Sequence, residues 1–195
     1  MNYFKRFFGH LRTVLEHKYW VFHYASRLGY PWRGLMHDLS KFSPIEFFEG
    51  VKYWSGKRSP ILVAKETVGV SKAWLHHRGR NRHHYEYWID RIHDRIVYHK
   101  IPFEYAVEMV CDWLAACRTY HKTGRETFNE EFKWWENRRK HIRINKHTKE
   151  LISKMLWNLK EFSENYDEDY ALDAVRNFLT YWEEEYNGEI NEEKD

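Results

Sequence analysis

The chain has 195 residues, a length that suits one domain with its own core. Its 13 His, 10 Trp, 14 Tyr and 12 Phe beside only 4 Pro and 9 Gly exclude a disordered chain, and two cysteines, Cys111 and Cys117, exclude a disulfide framework or a four-cysteine zinc module. The net charge of +3 hides an asymmetry: residues 1–100 hold 18 Lys and Arg against 8 acidic residues, and residues 161–195 hold 2 against 13. That pattern fits either a basic body with a solvated acidic end or a basic surface that attracts phosphate-bearing ligands.

The first residues, MNYFKRFFGHLRTVLEHKYW, are charged throughout and lack an apolar signal-peptide core. No later stretch approaches about 18 uncharged apolar residues, so neither a signal peptide nor a membrane partner is expected and the cytoplasm is the expected setting. Leu11, Val14, Leu15, Val21, Phe22, Ala25 and Leu28 recur at helical spacing and predict a first helix over 3–28, stopped by Gly29-Tyr30-Pro31. A short helix carries WRGLMHDLSKF. Ser43-Pro44-Ile45-Glu46 reads as a capping box opening a third helix that ends near Gly56. Residues 56–71 read as the break in the helical pattern, and Ser71 as the cap of KAWLHHR. Helices are predicted over 82–99 and 103–121, a second capping box at Thr127-Phe128-Asn129-Glu130, and two more helices over 148–162 and 169–186. No run alternates apolar and polar residues, so no sheet is expected. The predicted fold is all-α, a single domain of about eight helices.

Within the first helix His10, Val14, His17, Val21 and Leu28 share a face, which turns His10 and His17 inward. For His10 the expected role is a hydrogen-bonded core histidine. In Leu35-Met36-His37-Asp38-Leu39-Ser40-Lys41-Phe42 a histidine and an aspartate lie between apolar residues. A buried carboxylate needs a compensating charge, which a divalent cation held by imidazole and carboxylate supplies; a buried pairing with lysine or backbone is the alternative. Asp112 stands in an apolar helix among small residues, CDWLAA. Between them, His76, His77, His83 and His84 are interleaved with Arg78, Arg80 and Arg82. Guanidinium forks match phosphate oxygens, so these arginines are candidates for a substrate phosphate, with a nucleic-acid-facing basic loop as the other reading. His93-Asp94 has charged neighbours and reads as an exposed helix face; His99, His121, His141 and His147 read as solvent-facing.

These stretches resemble the HD-domain metal phosphohydrolase superfamily, in which a histidine on one helix, a histidine-aspartate pair in a context like LLHDIGK and a later aspartate hold a metal. The resemblance spans about residues 10–120 and implies His17, His37, Asp38 and Asp112 as ligands. It makes His77, His83 and His84 candidates for a second ion, and Asp38, His76 and Lys41 the expected catalytic groups. The cofactor implied is one or two divalent metal ions (Mn, Fe, Mg, Co, Ni or Zn). Residues 1–125 would form the HD-like metal-binding core, 126–187 helices packed on it, and 188–195 a frayed acidic tail. More closely, HLRTVLEHKYWVF, HDLSKFSPIEF, AWLHHRGRNRHHYEYW and EMVCDWLAA resemble an uncharacterised bacterial and phage family of unknown function, which implies no activity. The function expected is a metal-dependent phosphohydrolase whose partner is a nucleotide or another phosphorylated small molecule. A di-iron oxygenase on the same framework and a nucleic-acid- or protein-binding helical module are the alternatives. The sequence sets neither substrate nor oligomeric state.

Overall fold

The protein, described as a computed structural model, is defined over residues 2–121, 124 and 126–188. Its helices begin where the sequence supplies a start signal. Asn2 caps α1 (Tyr3–Arg27), its side chain accepting the Lys5 N–H at 2.9 Å, and Gly29, at φ 92°, turns the chain out of that helix. Proline opens α2 (Pro31–Met36), α3 (Pro44–Tyr53) and α4 (Pro60–Val68), whose missing N–H costs nothing in a first turn. Ser71 caps α5 (Lys72–Arg78) by accepting the Trp74 N–H at 3.0 Å. Pro102 directly precedes α6 (Phe103–His121), and α7 (Thr127–Arg138), α8 (Lys146–Asn165) and α9 (Glu168–Gly188) complete the helices among the described residues.

Helix α6 is the axis of the molecule. Ala106, Val107, Met109, Val110, Cys111, Leu114 and Ala115 are all buried, between Val21, Tyr24 and Ala25 of α1 and the apolar faces of α7, α8 and α9. Trp135, Ile152, Met155, Leu172 and Val175 belong to that same continuous core, so the C-terminal helices are part of a single, mainly all-α domain. Arg118 ties three helices together, donating to Glu168 at 2.5 and 2.8 Å and to the Tyr24 hydroxyl at 2.9 Å. No helix among the described residues is long and apolar enough to cross a membrane.

The structure corrects the sequence reading at several points. Residues 56–71 are not a break: α4 lies there, and its start, Ser59-Pro60, repeats the Ser43-Pro44 signal of α3. The helix predicted over 82–99 is instead a 3-10 turn (Tyr85–Trp88) followed by an antiparallel hairpin, β1 (Ile89–Ile92) and β2 (Arg95–Tyr98), with Ile92 opposite Arg95. His93-Asp94 is therefore the exposed two-residue turn of that hairpin, with His93 in the left-handed region at φ 54°. Both capping boxes also fail. Ser43 makes no cap bond, and the Glu46 carboxylate is drawn to histidines on α5 instead. Thr127 lies inside α7, its hydroxyl donating to the Gly124 carbonyl at 2.8 Å. His99, His121 and His141 are exposed as expected, but His147 is half-buried beside Trp182 and Tyr186. The acidic tail expected over 188–195 lies, past Gly188, outside the described residues.

Candidate metal centre

The short helix expected to run through WRGLMHDLSKF breaks at the histidine-aspartate pair. His37 is extended, Asp38 takes the left-handed conformation at φ 53°, and a 3-10 turn over Leu39–Phe42 follows. A non-glycine residue seldom adopts this conformation, although aspartate tolerates it better than most. Its consequence is positional: the Asp38 carboxylate faces histidines from three different segments.

Those histidines present their Nε2 atoms to Asp38. His37 Nε2 lies 3.1 Å from Asp38 Oδ2, while His77 Nε2 and His83 Nε2 lie 3.3 and 3.4 Å from Oδ1. On the other side, His17 Nε2 lies 2.9 Å and His37 Nε2 3.5 Å from Asp112 Oδ1. Two four-residue donor groups result, His17, His37, Asp38 and Asp112, and Asp38, His77, His83 and His84, in each of which one ligand atom per residue lies within 4.8 Å of the others. Asp38 belongs to both, and either group can hold a metal ion.

Behind the rings stand two glutamates that sequence reading passed over. Glu108 Oε1 lies 2.9 Å from His37 Nδ1 and 3.1 Å from His83 Nδ1; Glu46 Oε2 lies 2.7 Å from His77 Nδ1. A neutral imidazole that donates Nδ1–H to such a carboxylate turns an Nε2 lone pair toward Asp38. Accordingly, the buried Nε2 atoms of His17, His37 and His83 come close to carboxylate oxygens without forming well-directed hydrogen bonds to them, and His84 Nε2 is buried with no partner. Lone pairs facing lone pairs repel, and either a proton or a cation among the donors relieves that. Glu108 was detectable in principle, being four residues before Asp112 and so on the same face of α6. Glu46 was hidden by its resemblance to a capping residue.

The electrostatics follow from this packing. Burial pushes the Asp38 carboxyl up, but His37 foremost, then Lys41, His77 and His83, hold it well below the usual carboxylate range. For Asp112, burial is likewise outweighed by the close approach of His17 and then His37 to its carboxylate. Glu108 falls to about 2 because His37 and His83 overcome its burial. His37 moves well above its ordinary value, its burial outweighed by the charge of Asp38 and the nearness of the Asp112 carboxylate. His17, by contrast, is held down at about 4 by burial and by Lys41, and His84 well down by burial and by His83. The carboxylates stay charged and His17 and His84 stay neutral, whereas His37 holds a proton that a metal ion at its Nε2 would displace.

Two cavities open on this centre, and Asp38 lines both. The first, about 170 Å³, is lined by His10, His17, Lys41, His77, His84, Asp112 and Tyr120, with apolar walls from Val14, Pro60, Ile61 and Trp74. Lys41 Nζ lies 2.6 Å from Asp38 Oδ2. His10, expected to be a hydrogen-bonded core residue, is buried but lines this chamber, and its Nδ1 has no partner. The second cavity, about 220 Å³, is lined by Arg33, Arg80, Arg82, Asn81, His83, Tyr105 and Glu108. Arg33 stacks on the Tyr105 ring at 3.9 Å and Arg82 donates to its hydroxyl at 3.3 Å. Neither cavity has Arg78 or His76 in its wall: Arg78 is exposed at the end of α5, and His76 stands behind Glu46, its Nδ1 2.6 Å from Oε1. Arg33, at the start of the chain's second helix, carried no signal in the sequence that linked it to Arg80 and Arg82.

A family of unknown function, DUF5662, matches residues 6–158, a span that contains both donor groups and both cavities. No curated protein and no solved structure matches the chain.

Proposed function

Because the chain belongs to a family whose function is unknown, we propose from the site alone that it is a metal-dependent phosphohydrolase of the HD-domain kind, acting on a nucleotide or related phosphoester. The observation that carries this reading is the pair of buried four-residue donor groups joined at Asp38, with a guanidinium-lined cleft on one side and a part-apolar chamber on the other. Divalent ions bound there would supply Lewis acidity toward phosphate oxygens and lower the pKa of coordinated water. His17, His37, Asp38 and Asp112 would hold one ion, and Asp38, His77, His83 and His84 a second. Glu108 and Glu46 orient the imidazoles through their Nδ1 atoms. Arg80 and Arg82, joined by Arg33, offer planar forks to the phosphate from the open cleft. Lys41 neutralises Asp38 and faces the chamber, where Trp74, Tyr120 and His10 would contact the organic part of the ester. The test is hydrolysis of a nucleotide and phosphoester panel by protein loaded with Mn, Fe, Co, Ni, Zn or Mg. Activity lost in Asp38→Ala supports the reading, and a fully loaded protein inert across the panel overturns it.

The histidine-rich composition of both groups favours one second reading, a di-iron oxygenase on the same helices. A mixed-valent iron pair seen by Mössbauer and EPR spectroscopy, with substrate-dependent dioxygen uptake, would select it.

A further inference from the structure

Helix α1 is apolar on two faces, and the protein uses only one of them for its core. Val14, Val21 and Ala25, with His10 and His17, are buried against the body. On another face Phe4, Phe8, Leu11, Leu15, Tyr19 and Phe22 follow one another at steps of 4, 3, 4, 4 and 3 residues. That spacing keeps all six on one stripe, about 27 Å long at 1.5 Å per residue. Apart from the half-buried Leu11, they are between 41% and 72% exposed. Together they leave on the order of 600 Å² of apolar surface in one strip, at the top of the range for the largest patch on a monomer and about three-quarters of the roughly 800 Å² per partner of a stable interface.

We propose that this stripe is the interface of a homodimer in which two α1 helices pack antiparallel about a twofold axis near residue 13. The register is set by the sequence. An axis there brings Leu11 and Leu15 of the two copies together at the centre and sets Phe8 opposite Tyr19, with Phe4 near Phe22 at each end. It also sets Arg12 of each copy opposite Glu16 of the other, because both residues border the same edge of the stripe and a perpendicular twofold places like edges together. Phe8, Leu11, Arg12, Leu15 and Glu16 already line one shallow hollow on the surface. Reciprocal Arg12–Glu16 pairing is a form of self-complementarity that an anionic lipid surface would not reward, since Glu16 would face it with like charge. His17 sits on the opposite face of this helix, so the dimer would also brace the element that presents it to the donor group.

Sedimentation equilibrium and light scattering on the full chain decide the matter. The wild type is expected at twice 24.2 kDa at micromolar concentration. Leu15→Glu is expected as a monomer with unchanged helicity. Arg12→Glu and Glu16→Arg should each weaken self-association at least tenfold, since each sets like charges opposite one another. Mixing those two variants should restore a heterodimer, because each then meets the opposite charge; an effect on the fold of a single chain does not predict that recovery, so the test stands even where Leu15→Glu fails to fold. A wild type that stays at 24.2 kDa up to about 100 μM overturns the proposal, as does a dimer that survives all three substitutions. Flotation of a monomeric wild type with anionic phospholipid vesicles overturns it in favour of a lipid surface.

Discussion

Glu108 Oε1 lies 2.9 Å from the Nδ1 of His37, and the Nε2 of that same ring points at Asp38 and Asp112. One carboxylate thereby fixes the orientation of a ring on which the first donor group depends, and through His83 it reaches the second group as well. Glu46 touches only the second group, through His77. The two glutamates should therefore be separable. Glu108→Gln is expected to weaken both ions, and Glu46→Gln only one, by about 10- to 100-fold in affinity. Metal titration by isothermal calorimetry, with far-UV circular dichroism to verify folding, measures this.

Asp38 is the residue common to both groups, and Asp38→Ala should cut bound metal to less than one equivalent per chain, as measured by elemental analysis of protein purified without chelator. Because ligands of the folded state stabilise it, chelation of the wild type should lower the melting temperature. At a hundredfold excess over Kd the stabilisation lost is about 2.7 kcal/mol per ion. Asp38→Ala should show little further response to chelator.

Gly50 gives His10 its room. A Cβ at position 50 would stand 2.2 Å from His10 Nε2. Gly50→Ala should destabilise the fold by about 1–3 kcal/mol by overpacking, unless His10 is displaced into the chamber. His10→Ala in the same chain should recover most of that loss. Chemical denaturation of the two single variants and the double variant gives the coupling.

Glu131 on α7 is buried, and burial, reinforced by the charge of Asp112, raises its carboxyl to about 8. Its folded pKa lies above its unfolded value, so the folded state binds the extra proton between about pH 4.5 and 8 and stability falls as pH rises across that window. The penalty is complete above pH 8 and absent near pH 4.5, with an upper bound of roughly 5 kcal/mol. Glu131→Gln should therefore melt higher than the wild type at pH 8.5 and at nearly the same temperature near pH 5; equal melting temperatures at both pH values would contradict this.

The arginines are also expected to divide. Arg33→Ala and Arg82→Ala should each raise KM for a phosphoester substrate by about 10- to 100-fold with smaller effects on kcat, as expected from losing a charge-assisted hydrogen bond of about 1.5–3 kcal/mol. Arg78→Ala should stay within about twofold, because its side chain lies outside both cavity walls.

Helix identity was legible wherever one residue's chemistry decided it. Helical apolar spacing gave α1 and α6 their bounds to within one residue, and Ser71 announced α5. The hairpin was not legible: Ile-Asp-Arg-Ile lacks alternation, its strands are largely exposed, and only the left-handed His93 closes the turn. The start of α4 is legible at Ser59-Pro60, although residues 56–71 as a whole read as a break in the helical pattern.

For the site, the sequence by itself determined the donor chemistry. A histidine-aspartate pair set between apolar residues cannot stay charged and buried without compensation, and the resemblance to metal phosphohydrolases implied His17 and Asp112 as its fellow ligands, with His77, His83 and His84 as candidates for a second ion. Only the tertiary structure decided which atoms converge. The left-handed turn at Asp38, the α1–α6 packing and the loop after α5 bring together residues up to 95 positions apart, from His17 to Asp112. It also decided the placement of Glu46, Glu108 and Arg33, because a carboxylate behind an imidazole and a guanidinium beside a cleft are defined by distance across the fold, which local spacing along a chain does not encode.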